Sequence, residues 1–268
     1  MNRLRLTVLG CGSSPGVPRI NGDWGACDPG NPKNRRLRSS AMLEQIDPSG
    51  DTTRVVIDTS PDFREQMITT GVEQLDAVVY THAHADHIHG IDDLRSYVMN
   101  RKRLMDLYAD AETNHRLMQA FGYCFVTPPN GTYPPIAQAR LIDHETPFQI
   151  DGAGGPMTLL PLPQVHGDIL SLGFRIGNIA YCSDVSALPD ATVEKMQNLE
   201  ILVIDALQYR RHPSHFSLEE TLYWIEVLKP TKAYLTHMHI PLDYETVLKE
   251  TPDHVQPCFD GMVIEVTL

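Results

Sequence analysis

The chain has 268 residues, 42% of them hydrophobic, which is enough for a hydrophobic core of ordinary size. Its formal net charge of −12 argues against a broad polyanion-binding surface, so any contact with a nucleic acid or nucleotide is expected to be local. The five cysteines are scattered and include no C-x-x-C pair, so no disulfide framework is implied, as is typical of a cytoplasmic protein. No apolar run approaches membrane-spanning length.

The N-terminal part is predicted to form strands joined by turn-rich loops. Alternating hydrophobicity indicates a strand over Leu4 to Leu9, followed by a loop of glycine and proline from Gly10 to Pro18. A hairpin is predicted with strands Ser39 to Ile46 and Thr53 to Ile57. Asp58 comes directly after the second of these strands.

A cluster of polar residues begins where the next predicted strand ends. Ser60 is expected to cap a helix from Phe63 to Thr70, and the apolar run Leu75 to Tyr80 is predicted as a buried strand. Four histidines and one aspartate then occur within nine positions, from His82 to Gly90. Such a density of imidazole and carboxylate groups indicates a metal site.

The spacing within this cluster indicates how it could bind metal. Side chains two apart on an extended backbone share a face, so His82 and His84 can bind one ion from the strand end. Asp86 and His87 turn into the next predicted helix, Ile91 to Met99, and can face a second ion nearby. Neutral imidazole and carboxylate are ligands for zinc and, less selectively, for manganese or iron.

The rest of the chain alternates strands, helices and loops. The predicted strands are Arg103 to Tyr108, Leu141 to Ile150, Met157 to Leu162, Leu172 to Ile176, Ile179 to Cys182, Ile201 to Ile204 and Lys232 to Leu235. The predicted helices are Glu112 to Phe121, Pro189 to Leu199 and Leu218 to Leu228. The Pro- and Gly-rich loop from Phe125 to Pro135 is a candidate lid or dimer contact. The order of strands, helix and histidine-containing loop in residues 4–105 recurs in residues 157–268, so we expect one domain with two similar halves.

Further polar residues follow predicted strands in the second half. His166, Asp184, His237 and His239 each come soon after a strand, and His215 precedes a helix. Residue type alone leaves their roles open, because a single histidine or acid at a strand end is commonly a surface residue or a helix cap. His237 and His239 would point the same way on extended backbone, so spacing does not choose between them.

At the His82-x-His84-x-Asp86-His87 motif the sequence resembles the metallo-β-lactamase superfamily of binuclear metallohydrolases. Within it, the chain is most similar to the phosphodiesterase branch that contains tRNase Z and the cyclic phosphodiesterase of bacterial phosphonate breakdown. The resemblance covers Val8 to Val266. It implies an α/β fold, the αββα sandwich, formed by a single domain over residues 1–268 with the site at one edge of two facing sheets.

The resemblance also implies two divalent metal ions, zinc in the first place and manganese or iron as alternatives. The implied ligands are His82, His84 and His166 for the first metal, Asp86, His87 and His237 for the second, and Asp184 as the bridge between them. Two close cations lower the pKa of a bridging water, so hydroxide becomes available near neutral pH. The phosphonate-pathway enzymes also have a cysteine cluster for a structural metal, but here Cys27 stands alone in that region and no structural zinc is expected.

Catalytic roles follow from the same resemblance. His215 matches a histidine that the phosphodiesterase branch holds beside the metals, and we expect it to be the general acid that protonates the departing alkoxide. Asp86 is included among the catalytic residues as well as the ligands. Asp58 is expected to orient a metal ligand or, equally, to serve as a plain cap.

The leading hypothesis is a metal-dependent phosphodiesterase for a small or nucleotide-like phosphodiester, with no membrane contact, no extended nucleic-acid surface and a candidate homodimer. The runner-up is a carbonyl-ester hydrolase such as a thioesterase, lactonase or glyoxalase II-like enzyme, which could use the same hydroxide. A third alternative is a non-hydrolytic metal-binding protein. If the substrate is a phosphodiester, Arg35, Arg36 and Arg95 are candidate phosphate contacts, although each could equally be a solvated surface residue.

Overall fold

A computed structural model describes residues 2–267, which divide into two compact units. The first unit is drawn from the chain up to Thr7, from Ser40 to Thr158 and from Val263 onward, and the second from Val8 to Ser39 and from Leu159 to Met262. Each unit combines segments that are distant in sequence. The predicted single domain over residues 1–268 stays a prediction.

The first unit contains a mixed sheet and four helices. Its strands are β1 (Arg3–Gly10, continuing into the second unit), β2 (Ser40–Ile46), β3 (Thr52–Ile57), β4 (Ala77–Val79), β5 (Met105–Ala109), β6 (Ala137–Leu141), β7 (Phe148–Ile150) and β14 (Val263–Thr267). Its helices are α1 (Phe63–Thr70), α2 (Ala85–Ile88), α3 (Arg95–Arg101) and α4 (Ala111–Phe121). The sheet order is β14-β1-β2-β3-β4-β5-β6, in which β3 to β6 are parallel.

The second unit contains a similar sheet and three helices. Its strands are β8 (Met157–His166, which begins in the first unit), β9 (Ile169–Ile176), β10 (Ile179–Cys182), β11 (Ile201–Asp205), β12 (Lys232–Thr236) and β13 (Val255–Pro257). Its helices are α5 (Asp190–Lys195), α6 (Leu218–Leu228) and α7 (Tyr244–Glu250). Strands β8, β9 and β10 pair antiparallel, and β10 to β13 pair in parallel. An antiparallel part followed by a parallel part thus recurs in both units.

The parallel strands explain where the polar residues lie. The strands β4 and β11 are entirely buried, which is typical of strands covered on both faces. The carboxyl ends of neighbouring parallel strands meet at one edge of a sheet, so residues after β3 and β4, and those after β10, β11 and β12, come together within their own unit.

Several predicted elements need correction. The strand predicted over Leu141 to Ile150 contains only β7 and the last residue of β6. Between them lies a turn in which Asp143 accepts hydrogen bonds from the backbone N–H groups of Glu145 and Thr146. The helix predicted over Pro189 to Leu199 is only Asp190–Lys195. Helix α1 has the predicted bounds, but Asp62 rather than Ser60 occupies its N-cap position.

Candidate metal centre

In the first unit, the predicted ligand loop follows strand β4 and runs into helix α2. His82, Asp86 and His87 are buried, and His84 is exposed. His82 Nε2 lies 2.9 Å from His84 Nδ1, and His87 Nε2 lies 3.4 Å from Asp86 Oδ2. The two pairs that the spacing assigns to separate ions are therefore each close together.

Asp58 and Thr81 determine which nitrogen of two of these rings is protonated. The Thr81 hydroxyl donates to Asp58 Oδ2 at 2.8 Å, so its oxygen accepts from His82 Nδ1 at 2.9 Å. His87 Nδ1 donates to the same Asp58 oxygen at 2.6 Å. Both rings therefore present an unprotonated Nε2, which is the form of imidazole that binds metal. Burial raises the pKa of Asp58, and the adjacent His87 opposes that rise.

In the second unit, the remaining predicted ligands lie at the ends of strands. His166 is the last residue of β8, Asp184 follows β10, and His237 follows β12. His166 Nδ1 donates to the carbonyl oxygen of Ser214 at 2.6 Å, which leaves His166 Nε2 unprotonated. This nitrogen lies 3.8 Å from Asp184 Oδ2.

Asp184 directs its two carboxylate oxygens toward different histidines. Oδ2 faces His166, and Oδ1 lies 3.3 Å from His237 Nδ1. Potential ligand atoms of His166, Asp184 and His215 all lie within 4.8 Å of one another. A carboxylate between two imidazoles is the arrangement expected of a ligand shared by two ions.

His215 is held by an acid that the sequence analysis did not single out. His215 Nδ1 donates to Asp205 Oδ2 at 2.7 Å, and the same oxygen accepts the backbone N–H of Val185 at 3.1 Å. Burial raises the pKa of Asp205 to about 7, against the lowering effect of His215. The signal that could have found Asp205 is its position as the last residue of β11, because Asp58 follows β3 in the same way.

Two residues of the site have left-handed backbone conformations. Asp58 has φ of 64° and His237 has φ of 56°. Non-glycine residues rarely adopt positive φ, although aspartate and histidine do so more often than most, and each costs on the order of 1 kcal/mol. Such conformations concentrate at functional sites, where the surrounding structure imposes them.

The donor set of each unit fits divalent metal ions. It consists of imidazole and carboxylate groups, and His82, His87 and His166 are each oriented through Nδ1 by a hydroxyl, a carboxylate or a carbonyl oxygen. Outer partners of this kind fix the tautomer and orientation of metal-binding histidines in known sites. Nitrogen and oxygen donors without thiolates suit zinc, manganese or iron.

The arginines proposed as phosphate contacts have different positions. Arg36 is only 1% exposed and donates to the carbonyl oxygen of Leu242 at 2.7 Å, so it stabilises the second unit internally. The expectation that Arg36 contacts phosphate or solvent is therefore wrong. Arg95 forms an ion pair with Asp92 at 2.6 Å, and Arg35 is exposed.

Comparison with known proteins gives a family match and related structures. A family model described as a β-lactamase superfamily domain matches residues 53–238. A crystallised diphosphatase from the PhnP family is 36% identical, with coverage of 99% of this chain and 98% of that one and a TM-score of 0.88. The metallo-β-lactamase fold protein YhfI from Bacillus subtilis is 17% identical, with coverage of 99% and 100% and a TM-score of 0.74. These matches confirm the predicted fold class.

A second relative, from Porphyromonas gingivalis, is named for a different reaction. This protein, an octanoyltransferase, is 32% identical over 264 residues, which are 97% of this chain. The match is 51% of the relative's length, so the chain spans about half of it. Among residues 2–267, no helix is long and apolar enough to cross a membrane.

Proposed function

This chain belongs to the metallo-β-lactamase superfamily, and we propose that it is a metal-dependent hydrolase, specifically a phosphodiesterase that acts on a small or nucleotide-like phosphodiester. We propose two divalent ions per chain. The proposed ligands are His82, His84 and His166 for the first ion, Asp86, His87 and His237 for the second, and Asp184 for both. When bound, such ions lower the pKa of a coordinated water and neutralise charge on phosphate oxygens.

The observation on which this proposal rests is the hydrogen bonding behind the histidines. His82, His87 and His166 each have Nδ1 engaged, so each presents Nε2 as a lone pair. Each of these Nε2 atoms lies near another proposed ligand: 2.9 Å from His84 Nδ1, 3.4 Å from Asp86 Oδ2 and 3.8 Å from Asp184 Oδ2, respectively. Rings that are held through Nδ1 and direct Nε2 toward other donors are the arrangement expected of metal ligands.

The preference for phosphorus over carbonyl carbon is supported by the Asp205–His215 pair. Asp205 holds His215 through Nδ1, which leaves Nε2 to deliver a proton. An alkoxide departing from phosphorus needs such a proton, whereas a thiolate leaves without one. The 36% identical relative is named a diphosphatase, which agrees with phosphorus chemistry.

A second candidate function is the hydrolysis of an acyl thioester or ester. The observation that favours it is the name octanoyltransferase for the relative of which this chain matches about half, because such a name refers to acyl chemistry. The same metal-activated water would serve both reactions. Under this alternative, the Asp205–His215 pair would contribute little to turnover.

One experiment separates these possibilities. Metal content would be measured by elemental analysis, and the same protein would be assayed with bis(4-nitrophenyl) phosphate, an alkyl nucleotide diester, octanoyl thioester and a lactone. We expect about two ions per chain and cleavage of the phosphodiesters. The double variant His82→Ala/His84→Ala should lose one ion and the activity. Thioester cleavage without phosphodiester cleavage would favour the acyl alternative, and a single ion per chain would contradict the ligand assignment.

A further inference from the structure

Beside His215 and His237, the second unit contains a cavity whose polar wall the proposed reaction does not use. Its volume is about 220 Å³, and Ser13, Gln208, His212 and His239 contribute to its lining. The cavity adjoins His215, the proposed proton donor to the leaving group. A cavity in this position would receive the part of the substrate that departs.

Arg19 determines the direction of a chain of hydrogen bonds that ends at this cavity. Arg19 Nη2 lies 2.6 Å from His239 Nε2, and a guanidinium can only donate, so this nitrogen of His239 accepts. The proton of the neutral ring is then on Nδ1, which donates to Ser13 Oγ at 2.7 Å. Arg19 is itself held by Asp23 at 3.2 Å.

The hydroxyl hydrogen of Ser13 remains available as a donor. Ser13 is only 2% exposed and lines the cavity, and its hydroxyl has no second partner among residues 2–267. A buried hydroxyl whose oxygen already accepts a bond directs its hydrogen toward an acceptor, and an unmet donor costs free energy. The cavity therefore presents a donor that is polarised by a guanidinium two hydrogen bonds away.

His212 adds a second donor to the same wall. Its Nδ1 accepts the backbone N–H of Ser214 at 3.3 Å, so the proton of the neutral ring is on Nε2. The cavity thus offers donors from Ser13 and His212, next to the proposed proton donor His215. Phosphate oxygens are acceptors only, and they suit such a wall better than an apolar or acyl leaving group.

We propose that Ser13, His239 and Arg19 form a subsite for a phosphate group carried by the leaving side of the substrate. The inference rests on the proposed phosphodiesterase function and narrows it to phosphodiesters whose leaving group carries a second phosphate. Because Arg19 is paired with Asp23, the subsite would bind phosphate through the aligned donors of Ser13 and His212 rather than through a net positive charge.

The test compares the binding of inorganic phosphate and inorganic diphosphate by isothermal titration calorimetry to metal-loaded protein. The wild type should bind diphosphate more tightly. Ser13→Ala and Arg19→Leu should each reduce the ratio of the two dissociation constants about 10-fold, which is the worth of one charge-assisted hydrogen bond. Arg19→Lys keeps a donor and should retain much of the ratio. Arg116→Leu is the matched control, since Arg116 is an exposed arginine of helix α4 that does not line the cavity.

The possible outcomes separate this inference from the function on which it rests. A wild-type ratio near one, or an unchanged ratio in both Ser13→Ala and Arg19→Leu, would overturn the subsite even if phosphodiesters are cleaved. The expected ratios without any phosphodiester cleavage would support the subsite and refute the proposed reaction. Metal content and melting temperature, measured for each variant, identify a loss of ions or of folding, and Arg19→Leu decides the matter if Ser13→Ala does not fold.

Discussion

At the scale of single residues, His215 is the side chain whose removal best separates metal binding from proton donation. We expect His215→Ala to retain its metal ions and to lower kcat for an alkyl phosphodiester by roughly 10²-fold, the usual worth of a positioned acid. The loss should be much smaller for a nitrophenyl ester, since nitrophenolate leaves more easily without a proton. The measurements are steady-state kinetics and elemental analysis, with the exposed His254→Ala as control. Loss of metal from His215→Ala would instead identify His215 as a ligand.

Asp205 is a positioning residue, and its removal should change the pH dependence of the reaction. In Asp205→Asn the charge that stabilises protonated His215 is lost, so the pKa of His215 should fall. The alkaline limb of the kcat profile should therefore move to lower pH, with kcat reduced about 10-fold or more and KM little changed. A profile that keeps its wild-type shape would show that Asp205 only supports the fold.

The difference between His215 and Asp205 shows what the sequence could predict about the site. The ligand motif at His82 is recognisable because its members are adjacent in sequence. The role of His215 could be predicted only from a resemblance, and its partner Asp205 was missed. The hydrogen bond between them depends on how the chain between β11 and α6 folds back, and no local pattern specifies that path.

At the scale of elements, helix α6 begins with a complete capping box two residues after His215. The Ser217 side chain accepts from Glu220 N–H, and Glu220 Oε2 accepts from Ser217 N–H at 3.0 Å. Ser217→Ala should lower the free energy of unfolding by about 1 kcal/mol, which is roughly 2–4 °C in melting temperature for a chain of this size. Ser217→Asp should recover most of this loss. Ser96→Ala, at the exposed second residue of α3, where the serine is not the N-cap, should be nearly neutral, and an equal loss there would argue against a capping effect.

The predicted elements succeed where burial is uniform and fail where turns interrupt short strands. The strand β11 is a continuous apolar run, and its predicted bounds differ from the observed ones by one residue. The region from Leu141 to Ile150 is predicted as one strand, but apart from Leu141 only Phe148–Ile150 is a strand there. Asp143 accepts backbone hydrogen bonds there and forms a turn, which periodicity alone does not detect. Helix α7 and strands β13 and β14 were not predicted.

At the scale of the whole molecule, the sequence predicts a recurring order of strands, helix and histidine-containing loop, but it does not predict how the chain is divided between the two units. The sequence order suggests two consecutive halves. The first unit nevertheless includes both ends of the described chain, since β1 pairs with β14. A pairing between segments about 260 residues apart leaves no local signal in sequence, and it depends on long-range contacts.

Asp260 connects three distant segments and should make the stability of the folded chain depend on pH. Its Oδ1 accepts the backbone N–H of Cys11 at 3.1 Å, and its Oδ2 accepts that of Leu37 at 2.7 Å. Burial raises the pKa of Asp260 to about 7, whereas an unfolded aspartate titrates near 4. Between these values the folded state holds a proton that the unfolded state has released, so stability falls as the pH rises from about 4 to about 7.

We therefore expect wild-type protein to lose more stability than Asp260→Asn between pH 5 and pH 8. The wild type should lose about 1–3 kcal/mol more free energy of unfolding than the variant. This is less than a pKa shift of about three units would give, because Asp260 remains partly exposed to water. Urea unfolding at several pH values would measure it. Protonation of the metal-binding histidines also changes stability over this range, but it affects both proteins alike, because the hydrogen bonds of Asp260 go to Cys11 and Leu37 rather than to proposed ligands. If Asp260→Asn loses as much stability as the wild type between pH 5 and pH 8, then Asp260 is ionised in the folded protein over that whole range and the prediction is wrong.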